Sequence, residues 1–127
     1  MELSPGNEYL AIGGLYGTVE VFLADELCLG RVYKVASYRP NNACVKDMVF
    51  LGQPQSLQLA HINKDLSSSE IVIFCLKDMV ILVKEKLPTI GSPDFCSMVY
   101  KANQGVIVIT SKNQNSLIEY NVRIQTN

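Results

Sequence analysis

Three segments of the chain carry the same ungapped spacing of apolar residues, and this repeat limits the fold more than any other feature. Met1 and Leu3 precede Leu10 and Ile12; Met48 and Phe50 precede Leu57 and Leu59; Met98 and Tyr100 precede Ile107 and Ile109. Met48 follows Met1 by 47 residues, and Met98 follows Met48 by 50. A period of this size marks a supersecondary unit that cannot bury its apolar face alone and stacks on a neighbour. A further apolar run follows each segment: Val19 to Leu23, Ile71 to Leu76, and Leu117 to Val122. A fourth follows in two copies, Cys28 to Val35 and Val80 to Lys86, and the third copy reaches Asn127 before one.

The runs are short and rich in Val, Ile, Leu, Tyr and Phe, residues that suit a pleated surface. Turn-forming clusters separate them, among them Ser4-Pro5-Gly6-Asn7, Gly13-Gly14-Leu15-Tyr16-Gly17 and Arg39-Pro40-Asn41-Asn42. No long stretch holds a 3.6-residue period, so an all-β chain of about ten short strands is expected. Ile71 to Leu76 and Val106 to Ile109 are continuously apolar. A strand with one wet face alternates, so these runs predict sheets covered on both faces. The 127 residues fit one domain.

The first copy resembles a WD40-type repeat residue by residue. Leu3-Ser4-Pro5-Gly6-Asn7-Glu8-Tyr9-Leu10-Ala11-Ile12-Gly13-Gly14 is similar to the stretch joining the first two strands of such a blade, and Gly17-Thr18-Val19-Glu20-Val21-Phe22 to the opening of the third. Phe22-Leu23 stands where that family carries Trp-Asp, and the only histidine, His61, is not in a Gly-His pair. The family's buried Asp–His–Ser network therefore does not transfer. The resemblance implies about two and a half four-stranded antiparallel β-propeller blades, in units of roughly 1–38, 44–88 and an incomplete 95–127. The alternative is a β-sandwich of immunoglobulin size.

Catalytic chemistry has little support. His61 lies between Ala60 and Ile62 and reads as a structural residue, with no second histidine for a two-histidine metal site. Cys28, Cys44, Cys75 and Cys96 lack metal or redox spacing and read as reduced thiols, which places the chain in cytoplasm or nucleus. The Gly13–Gly17 segment lacks the Lys-Ser/Thr of a phosphate loop and reads as hairpin glycines. No enzyme activity, metal or cofactor is expected. Eleven basic and 12 acidic residues give a net charge of −1, a balance that argues against a dedicated nucleic-acid binder and gives no reason to expect an anionic lipid surface as partner. No apolar run reaches the length that inserts through a bilayer.

The resemblance implies a non-catalytic interaction platform, a propeller fragment that binds proteins or peptides of a multiprotein complex and the remaining blades of its own ring. A ligand-, nucleic-acid- or phosphoinositide-binding platform is the alternative. Binding groups in such a fold sit in its loops. The loops at one rim make Tyr16, Tyr38, Arg39, Lys64, Asp65 and Lys112 the candidate partner-binding residues. Ser67, Ser68 and Ser69, beside Glu70, are candidate phosphorylation sites.

Overall fold

The computed structural model describes residues 1–52, 57–66, 68–88, 95–111 and 116–122. Eleven strands among them form three separate antiparallel sheets. The first holds β1 (Glu2–Leu3), β2 (Tyr9–Gly13), β3 (Val19–Leu23) and β4 (Lys34–Tyr38), with one helical turn, α1 (Ala24–Cys28), after β3. The second holds β5 (Cys44–Leu51), β6 (Gln58–Lys64), β7 (Ser69–Cys75) and β8 (Val80–Lys86). The third holds β9 (Phe95–Lys101), β10 (Val106–Ser111) and β11 (Leu117–Asn121). In each, sequential strands are neighbours.

The sheets stack in chain order. Ala11, Val19, Val21 and Ala36 of the first sheet meet Met48, Phe50, Leu59 and Phe74 of the second in one apolar layer. Ala60, Ile62, Ile71 and Ile73, on the second sheet's opposite face, meet Phe95, Met98, Ile107 and Ile109 of the third. The middle sheet is thus covered twice. This is why Ile71 to Leu76 is apolar without a break and wholly buried. Val106 to Ile109 differs from expectation: Ile107 and Ile109 are buried, whereas Val106 and Val108 face outward and are half-exposed.

The sheets do not form the propeller blades that the WD40-type resemblance implies. The three sheets are discrete and open, none closes into a ring or barrel, and each ends on two edge strands. Apart from the helical turn α1 beside the first sheet, the outer faces of the first and third sheets carry no further layer among the described residues. The arrangement is a stack of sheets, closer to the sandwich alternative. The repeat spacing records which residues point into a layer; it does not record how layers are disposed around an axis. Without a ring there is no rim or channel. The reading as a propeller scaffold, with the remaining blades and a multiprotein complex as partners, loses its structural basis.

The fourth strand of the first sheet is also displaced from its expected place at Cys28 to Val35. Ala24-Asp25-Glu26-Leu27 favours a helical turn, and its acidic residues sit at the favourable end of the helix dipole. Gly30 at φ +78° then reverses the chain, so pairing with β3 resumes only at Lys34. Tyr38, expected in a loop, therefore lies in a strand at the interface between sheets.

Candidate functional site

Two hairpin tips and one connecting loop meet at a single end of the stack. The turn between β2 and β3 is held by Gly14 N–H donating to the Thr18 carbonyl at 2.8 Å. Gly17 takes φ +90°, and a Cβ there would overlap the Asn41 carbonyl oxygen. Gly14 O in turn accepts Val45 N–H at 3.1 Å, which seats this tip on the start of β5. Cys44 pairs with Lys64, so the turn between β6 and β7 lies at that same end. Gly13 to Gly17 are hairpin glycines, as the missing phosphate-loop residues imply.

Four of the candidate residues fall here. Tyr16 is 73% exposed on the first tip, beside Leu15 at 74%. Arg39 is exposed and donates from Nε to the Tyr16 carbonyl at 2.9 Å, which fixes the guanidinium next to that tip. Lys64 is half-buried at the end of β6, with Nζ donating to the Asp65 carbonyl. Asp65 turns its carboxylate inward on the loop and accepts Ser68 N–H at 2.8 Å. Leu66, which the sequence did not single out, is fully exposed at this second tip. Lys112 and Ser67 lie outside the described residues. Ser68 is half-buried, and Ser69 is 6% exposed within β7.

Tyr38 is placed differently. Its ring stacks on Phe74, with centroids 3.9 Å apart, and its hydroxyl pairs with His61 Nε2 at 2.9 Å. His61 Nδ1 pairs with Asn63 Oδ1 at 2.6 Å. An amide oxygen only accepts, so Nδ1 carries the proton and Nε2 accepts from the tyrosine. Asn63 Nδ2 donates onward to Asn41 Oδ1 at 3.1 Å and to the Ala43 carbonyl, and Asn41 Nδ2 donates to Glu70. His61 is completely buried. Burial pushes its pKa down to about 4, the Asn63 hydrogen bond opposing in part. Burial likewise pushes the Tyr38 phenol up. Neutral Tyr38 and His61, with Asn63, form a polar tie between the first two sheets, so His61 is structural, as its apolar neighbours imply. Asn63 and Asn41 carry no sequence signal that distinguishes them from ordinary turn residues.

Asp47 supplies the corresponding tie to the third sheet. One of its oxygens accepts Met48 N–H and the other Met98 N–H, each at 2.9 Å. The β-bulge between Val45 and Asp47 re-aims this side chain. Among the described residues no group of three or more His, Cys, Asp or Glu side chains could hold a metal. No helix among them is long and apolar enough to cross a membrane. The sequence matches no family model, that of the WD40-type repeat included, and no curated protein.

Proposed function

We propose that the chain is a non-catalytic domain that docks on an anionic lipid surface through the end bearing Leu15, Tyr16 and Leu66. The observation that carries this reading is the exposure of those three bulky side chains, 73% or more, on adjacent hairpin tips. Apolar groups held out on tight turns have no partner within the fold and fit a partner with an apolar interior. Tyrosine suits the headgroup region of a bilayer, where its ring is buried and its hydroxyl stays wet. Arg39 and Lys64 flank the tips, and each basic residue near an anionic surface adds about 1 kcal/mol of attraction. The net charge of −1 conceals this local grouping.

The test is co-sedimentation with vesicles of phosphatidylcholine alone and with added phosphatidylserine or a phosphoinositide. Binding that needs the anionic lipid, weakens with salt and is lost in the Leu15→Ser/Tyr16→Ser/Leu66→Ser variant supports the reading. Equal partition to both vesicles, or full binding by the folded triple variant, refutes it.

A further inference from the structure

The repeat spacing makes four apolar positions on or beside the first two strands of each sheet equivalent. The exposures then separate sharply. Met48, Phe50, Leu57 and Leu59 are at most 7% exposed beneath the first sheet. Met98, Ile107 and Ile109 are at most 6% exposed beneath the second. Their counterparts Met1, Leu3 and Ile12 are 83%, 48% and 36% exposed. Leu10, the fourth position, and Tyr100 of the third sheet are half-buried, and otherwise the first sheet presents outward the apolar positions that its two successors bury against a preceding layer. A groove of about 530 Å³ runs along this face, lined by Met1, Leu3 and Leu10 on one side and Ala24, Leu27 and Cys28 on the other.

The third sheet shows the opposite surface. Ala11, Val19 and Val21 of the first sheet, and their ladder equivalents Gln58, Ile73 and Cys75 of the second, lie on the face towards the layer that follows and are at most 7% exposed. Their counterparts in the third sheet are Val108, Leu117 and Glu119, and all three are at least partly exposed. Val99 sits beside Val108 in register and is 61% exposed. One chain therefore carries both halves of an interface it has already built twice, unmatched, at its two ends.

We propose that a second copy of this chain covers the first sheet's outward face with its own third sheet. The contact joins different surfaces of the two copies, so association is head-to-tail, and each added copy leaves one face of each kind open. The occupant is another copy because the face equivalent to the two that already cover a following layer, with Val99, Val108 and Leu117 at least partly exposed on it and Glu119 as its one charged equivalent position, lies on this chain. The lipid-binding end is not part of either face, so this inference stands apart from the function proposed above.

Sedimentation equilibrium over a rising protein concentration tests it. Mass is expected to climb from 14.1 kDa through successive multiples of the monomer. Ile12→Asp should spoil one face and Leu117→Asp the other, leaving each variant monomeric. Mixed, the two should stop at a one-to-one dimer, since each supplies the face its partner retains. Alkylation of Cys28 gives a readout that needs no variant: its rate in the wild-type protein should fall several-fold as concentration rises, because the thiol lines the covered groove. A wild-type protein that stays monomeric and leaves Cys28 equally reactive throughout would overturn the proposal. So would association that survives Leu117→Asp alone, which would indicate a symmetric contact between two first sheets.

Discussion

Lowering the pH from 7.5 to 4 should weaken the fold through one identifiable group. The folded-state pKa of His61 is about 4, against 6.5 for an unperturbed histidine. Below pH 6.5 the unfolded chain takes up a proton that the folded protein refuses until about pH 4. Stability from this group is therefore complete above pH 6.5 and is lost as pH falls towards 4. The slope approaches 1.4 kcal/mol per pH unit, and the whole interval is worth about 3 kcal/mol. The chain has no other histidine, which isolates the upper part of this window. Carboxylates enter only towards its lower end. Glu2 acts there with opposite sign, since burial and the nearby Asp47 raise its pKa. Urea unfolding of the wild type and of His61→Gln at matched pH values reads the effect. The expected result is a steeper loss of stability in the wild type between pH 6.5 and 5, on top of a lower absolute stability in the variant. Parallel curves would refute the argument, because they would mean that His61 is protonated as readily in the folded state as in the unfolded one.

Other parts of the stack give independent expectations. Gly17→Ala should cost about 2–4 kcal/mol, since the new Cβ meets backbone carbonyls at Asn41 and Ala43 and φ is positive; thermal unfolding measures this. Asp47→Ala should cost about 1–3 kcal/mol by leaving Met98 N–H without its acceptor, and amide exchange at Met98 should quicken. Ile73→Ala removes a wholly buried side chain from the layer between the second and third sheets, and about 2–5 kcal/mol is expected in urea unfolding.

Much of this architecture was legible because burial imprints itself on local pattern. The unbroken run Ile71 to Leu76 announced a strand covered twice, and the glycines at 13, 14 and 17 announced a tight hairpin. Two features were illegible for physical reasons. Cys28 to Val35 has the composition of a strand, but the helical turn before it and Gly30 delay pairing with β3, a geometric consequence that no residue count reveals. That delay carried Tyr38 from an expected loop into the His61 tie, where its hydroxyl and ring are both engaged. The arrangement of sheets was illegible too. Apolar spacing fixes which face of each strand is covered, and an open stack satisfies the same spacing as a ring. At the candidate site, Tyr16 and Arg39 are separated by 22 intervening residues and meet only because the β2–β3 turn sits on the start of β5. Leu66 gave no signal, since a single leucine in a polar loop is unremarkable until its exposure is seen.

The sheets stack in the order first, second, third, with the outer two apart. Methyl and aromatic cross-relaxation measured by NMR on the folded monomer tests that order most directly. Cross-peaks are expected between the Tyr38 and Phe74 rings, within the layer containing Val21 and Leu59, and within the layer containing Ile62 and Ile109. None is expected between Val21 and Ile109, which lie in different layers on either side of the second sheet. A direct Val21–Ile109 cross-peak in the monomer would contradict the stack.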